Sequence, residues 1–124
     1  MANKYILPSS YKEKISEKEL YGAYKIFFGT LVSHSRLEII NLLRKSRKNV
    51  SEIVKELNMN QTTASHDLAR LKRCGFVKSE RKGAFIYYAL NQETIRPLLN
   101  IIERHMSAYC VHILHTMKEG HKRK

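Results

Sequence analysis

No apolar run in the sequence approaches the roughly 20 residues that a helix needs to cross a bilayer. Long apolar stretches such as Tyr24 to Leu31 are interrupted, there by Lys25, Gly29 and Thr30. The opening MANKYILPSSYKEK has no apolar core of signal-peptide length before a small-residue cleavage site, so a cytoplasmic location is expected. Two cysteines, Cys74 and Cys110, are too few for a disulfide framework and suit a reducing compartment. Internal repeats and Pro/Gly/Ser-rich linkers are missing as well. There is no phosphate-binding Gly loop, no Ser/Cys–His array and no pair of carboxylates at a useful spacing, so no enzyme is expected. His66 and Asp67 are adjacent in a helical stretch and project to different sides of it, which excludes a dyad. Acids are scarce: 11 Asp and Glu stand against 23 Lys and Arg in 124 residues, a formal charge of +12. Such an excess predicts a polyanionic partner, either nucleic acid or an acidic membrane surface.

An apolar fraction of 43% is enough to build a core, which excludes a disordered chain. One domain is expected over 13–117, between a flexible N-terminal arm at 1–12 and a basic tail at 118–124. In the arm, Tyr5, Ile6, Leu7 and Tyr11 can pack against the domain. Ser16-x-x-Glu19 fits a capping box opening a helix through Leu20, Tyr24, Phe27 and Phe28, with Gly29 as a stop. A second helix follows from about Ser35, with Leu37, Ile40 and Leu43 on one stripe and Arg36 and Arg44 on the other. After the basic turn KSRKN, Ser51 is the expected N-cap of a short helix through Ile53, Val54 and Leu57 that ends near Asn58. The turn NMNQ leads into TTASHDLARLKRC, where Ala64, Leu68 and Leu71 keep helical spacing and Gly75 is the stop. Two short helices joined by a tight polar turn form a helix-turn-helix.

The period then changes. Phe76 to Glu80 and Ala84 to Leu90 are rich in strand formers and flank Arg81-Lys82-Gly83, which has hairpin-loop composition. Asn91 is expected to cap one last helix running from Ile95 to Ile113, with Pro97 tolerated in its first turns. The fold class is therefore mainly α with a small two-stranded β wing, a winged helix-turn-helix.

In that order the chain resembles the ArsR/SmtB-type transcriptional repressors, from about Phe27 to Met106. The most specific part is LVSHSRLEIINLLRK followed by VSEIVKELNMNQTTASHDLARLKRCGFVKSERKGAFIYYALN. Ser65-His66-x-Leu68, Leu71, Gly75-Phe76-Val77 and the Tyr87-Tyr88 wing strand carry the likeness. The resemblance implies a homodimer, packed through its first and last helices, that binds an inverted repeat in double-stranded DNA and blocks transcription. It implies neither a membrane partner nor a small-molecule substrate. Two other readings stay open: an architectural DNA binder with little sequence preference, and a basic RNA-binding protein.

The tip of the second helix of such a motif points into the major groove. Asn60 is its expected N-cap, and Gln61, Thr62, Thr63, Ser65, His66 and Arg70 are the candidate DNA-binding residues on it. Gln favours adenine through paired hydrogen bonds, and a Thr methyl packs on thymine. Residues 44–82 hold eleven basic side chains against four acids. Arg81 and Lys82 at the wing tip, with Lys48 and Lys78, are the candidate phosphate and minor-groove contacts.

Many relatives sense metals, so their ligand positions have counterparts here. The stretch matching a Cys-x-Cys site is Asn49-Val50-Ser51-Glu52, without a thiol. The positions of an Asp-x-His site with a further His pair read Gln92, Thr94, His105 and Ala108, leaving His105 alone. A thiol site in the recognition helix keeps only Cys74, since Arg70 stands at its partner's position, and Cys110 is the candidate C-terminal ligand. His112 and His115 share a helical face at i, i+3. His105 lies about 10 Å from His112 along the axis. A zinc or cadmium site drawing on Cys74, His105, Cys110, His112 and His115 is the effector left open, with a Cys74–Cys110 redox pair behind it.

Overall fold

The computed structural model describes residues 15–122, with backbone only for 118–122. The N-terminal arm expected at 1–12 lies outside the described residues. Helix α1 (Glu17–Leu31) opens on the expected box: the Ser16 hydroxyl accepts from the Glu19 amide at 3.1 Å, and the Glu19 carboxylate accepts from the Ser16 amide at 3.1 Å. Gly29 does not stop the helix. It lies inside α1, and the Val32 amide still bonds the Phe28 carbonyl at 3.0 Å. Ser33 then caps α2 (His34–Leu43), one residue ahead of the expected start. The buried stripe of α2 is Ile39, Ile40, Leu42 and Leu43, whereas Leu37 is exposed.

A two-residue strand β1 (Lys48–Asn49) follows, and Asn49 caps α3 (Val50–Leu57). Ser51 is not the cap. Asn49 has Glu52 at the third helical position, so the two close a reciprocal box at 2.9 and 3.0 Å, which Ser51 with Val54 cannot. The helix ends at Asn58, whose φ of 50° and ψ of 50° are left-handed. Asn60 caps α4 (Gln61–Arg73) as expected, accepting from the Thr62 and Thr63 amides. At its other end the Phe76 amide reaches the Leu71 carbonyl and the Gly75 amide reaches the Lys72 carbonyl. This closing turn needs a left-handed residue, and Gly75 supplies it at φ +77°.

Strands β2 (Val77–Lys82) and β3 (Phe85–Leu90) pair antiparallel from Val77↔Leu90 to Lys82↔Phe85. Arg81 and Lys82 are thus strand residues, and the turn is only Gly83-Ala84, with a positive φ at Gly83. Strand β1 adds to the far edge of β3, Lys48↔Tyr88 and Asn49↔Tyr87, giving a sheet of order β1-β3-β2 where two strands were expected. Asn91 caps a turn ahead of the next helix, accepting from the Glu93 and Thr94 amides. The expected single last helix is two, α5 (Ile95–Ala108) and α6 (Cys110–Lys122), broken at Tyr109. Helix α6 runs on through 118–122, the start of the stretch expected as a tail.

The core gathers α2, α3, α4 and the root of the wing around Ile39, Leu43, Ile53, Leu68, Leu71, Phe76 and Leu90, all almost fully buried. Phe27 of α1 stacks on Phe76 at 5.2 Å between ring centres. Each such side chain contributes roughly 1.5–3 kcal/mol by leaving water. Together they hold the inner face of α4 and leave its tip standing out.

Candidate nucleic-acid interface

Ala64, Asp67, Leu68 and Leu71 form the buried face of α4. That leaves Gln61, Thr62, Thr63, Ser65 and His66 exposed at or near its N-terminal end, where the helix dipole favours an anion. Asn60 is also exposed, but its side-chain oxygen is occupied by the two cap amides. Arg70 departs from the group. It is half-buried, and its Nε donates to Thr30 Oγ1 of α1 at 3.2 Å, so it turns back from the tip.

In the wing, Arg81 and Lys82 are exposed on the last two positions of β2, beside the turn. The other two candidate cations are already paired. Lys48 Nζ lies 2.9 Å from a Glu56 oxygen, and Lys78 Nζ lies 3.5 Å from Glu93. Arg47 sits over the Tyr87 ring at 5.5 Å and 3.8 Å from Glu80. Lys55 of α3 and Lys72 and Arg73 of α4 add exposed cations near the motif.

Two side chains outside the expected set hold α4 in place. The Asp67 carboxylate accepts from Ser35 Oγ at 2.5 Å and from Arg36 Nη1 at 3.2 Å. Arg36 also donates to the Thr30 and Gly29 carbonyls at 2.7 and 3.2 Å. Arg36 and Asp67 stand 31 positions apart, beyond the reach of any periodicity argument. On the opposite side of α1, the exposed Tyr21 hydroxyl donates to Glu17 at 2.7 Å, and that bond and charge raise its pKa above the usual tyrosine value.

The family model for "Bacterial regulatory protein, arsR family" matches residues 33–79, from the cap of α2 into β2. The transcriptional repressor SdpR of Bacillus subtilis (strain 168) is 32% identical over 81 residues, covering 62% of this chain and 90% of SdpR. The chain belongs to the arsR family. This arsR-family chain is a transcriptional regulator built on a winged helix-turn-helix, not an enzyme. The transcriptional repressor PagR of Bacillus anthracis is 31% identical over 74 residues, 59% of this chain and 74% of PagR. Among solved structures, the homodimeric winged helix-turn-helix DNA-binding domain Mb0332 of Mycobacterium bovis aligns with a TM-score of 0.70 at 27% identity. The alignment spans 82% of this chain and 94% of that domain.

The candidate metal ligands of this arsR-family chain do not come together. Cys74 is half-buried at the end of α4, with its Sγ 3.3 Å from Thr30 Oγ1. His105 packs on the Tyr109 ring at 4.9 Å, and Cys110, His112 and His115 are exposed on α6. Among the described residues no three His, Cys, Asp or Glu side chains form a group able to hold an ion. Zinc and cadmium normally take three or four ligands, and the described residues of one protomer do not bring that many together. Among the described residues, too, no helix is long and apolar enough to cross a membrane.

Proposed function

We propose that this arsR-family regulator binds an inverted repeat in double-stranded DNA as a homodimer and represses transcription from it. The observation that carries the reading is the exposed N-terminal end of α4, presenting Gln61, Thr62, Thr63, Ser65 and His66 while Ala64, Leu68 and Leu71 anchor the same helix in the core. Gln61 and Thr63 read base edges, and Arg81 and Lys82 of the wing grip phosphates or enter the minor groove. Lys48 and Lys78 supply secondary contacts after release from Glu56 and Glu93. Arg70 contributes through α1 rather than through the groove.

Dimerisation is supported by apolar surface that a lone protomer leaves in water. Tyr21, Tyr24 and Phe28 on α1, with Ile101, Met106, Ile113 and Met117 on α5 and α6, are all exposed. Patches of this kind mark protein contacts. Mb0332 is described as homodimeric, and SdpR and PagR as repressors. Two recognition helices related by a two-fold axis double the bases read.

Selection of bound duplexes from a random pool, with sedimentation of the complex, tests this. Two half-sites in inverted orientation with a dimer bound are the expected result. A pool without enrichment overturns sequence reading in favour of an architectural binder, and preference for single-stranded RNA overturns DNA as the target. Repeating the selection with Zn²⁺, with Cd²⁺ and with a chelator tests for a metal effector. From the scattered ligands, the same sequences are expected in all three.

A further inference from the structure

The last turn of α1 and the middle of α4 are joined by two polar bridges. One runs from the Gly29 and Thr30 carbonyls through Arg36 to Asp67, whose second oxygen takes the Ser35 hydroxyl. The other runs from the fully buried Thr30 hydroxyl to Arg70 Nε and Cys74 Sγ. We propose that Arg36 and Asp67 are positioning residues for DNA readout: they set the rotation of α4 against α1 and thereby the half-site spacing that the dimer accepts. The proposal rests on the reading that α4 enters the groove and α1 lies at the two-fold axis.

Chemistry favours a clamp over simple packing. The terminal carbonyls of a helix lack partners within it, and α1 has no basic residue in its own last turn. Arg36 supplies that missing cation from α2, and the Nη1 end of its planar fork donates to Asp67. A guanidinium with three acceptors fixes an orientation more sharply than the non-directional apolar contacts of Ala64, Leu68 and Leu71, which anchor the helix beside it. Burying an ion pair is seldom the best way to stabilise a fold, and its better-attested benefit is a defined register. Here the pair is nearly enclosed, with side-chain exposures of 14% and 9%.

The leverage is short and direct. Asp67 lies one turn beyond Thr63 on the same line of the helix. With side chains about 5–6 Å from the axis, a 10° roll of α4 moves its tip groups by roughly 1 Å. That exceeds the roughly 0.5 Å tolerance of a preorganised site. In a dimer both tips move in opposite senses about the two-fold axis, so the error appears as a change in the separation of the two half-sites.

The test uses the full chain and the duplex selected above, together with duplexes whose half-sites are one base pair closer or farther apart. Asp67→Asn removes the charge at constant shape, and Arg36→Lys replaces the fork by a single point. Ser35→Ala removes one hydrogen bond and serves if either of the others fails to fold. Discrimination between spacings is expected to fall by about tenfold, the size of one misread base pair, while dimer mass and low-salt binding to random duplex persist. Folded dimeric variants that keep the wild-type spacing preference, even with a lower melting temperature, overturn the proposal. If the wild-type chain enriches no duplex, the reading of a sequence-specific operator fails instead, and the two failures are distinct.

Discussion

Replacing Arg81 and Lys82 by Ala should flatten the salt dependence of binding without changing the sequence preferred. Both side chains are exposed on β2 beside the Gly83-Ala84 turn and form no ion pair among the described residues. Each phosphate neutralised adds about 0.9 to the slope of log affinity against log salt. A dimer presents each residue twice, so four contacts lower the slope by roughly 3.6 on the same relation. Between about 50 and 200 mM salt the wild type should lose about a hundredfold more affinity than the double variant. Lys48→Ala should do much less, because a phosphate must first displace Glu56, which lies 2.9 Å from Lys48 Nζ. Fluorescence anisotropy across a salt series measures both. An unchanged slope for Arg81 and Lys82 removes the wing from the contact set. A Lys48→Ala effect as large as that of either wing residue refutes the reasoning that internal pairing withholds a cation from DNA.

Asn49→Ala should cost about 0.5–2 kcal/mol in urea unfolding by removing the α3 cap, whereas Ser51→Ala stays within about 0.5 kcal/mol. Gly75→Ala forces a side chain into the left-handed region and should destabilise by about 1–2 kcal/mol, read as a lowered melting temperature. Ile113→Asp with Met117→Asp places charges on the exposed apolar face of α6. That pair should shift the sedimentation equilibrium towards monomer, and an unchanged dimer would remove α6 from the interface.

Local chemistry made much of the framework legible. Ser16 with Glu19, Asn60 before its threonines and Gly75 after a basic turn each announce a helix end within four residues, and each does so in the structure. The exposed tip of α4 followed from the spacing of Ala64, Leu68 and Leu71. Asn49 was also readable, since Glu52 completes its box, but a neighbouring Ser51 offers the same residue class without that partner. Strand β1 was not readable: two residues carry no period, and its pairing partners lie some 40 positions away on β3. No Gly or Pro marks the break at Tyr109. Arg70 looked like a groove residue by position and charge, yet the acceptor that draws it away is a hydroxyl on another helix 40 positions earlier. Contacts between distant segments decide such cases.

The short β1 ladder carries a mechanical consequence. Lys48 and Asn49 pair with the middle of β3, and Asn49 is at the same time the N-cap of α3. The hairpin arm and the paired helices thus share one hinge pin instead of swinging separately. On the binding mode proposed above, the position of the hairpin against a duplex is therefore expected to follow that of α3.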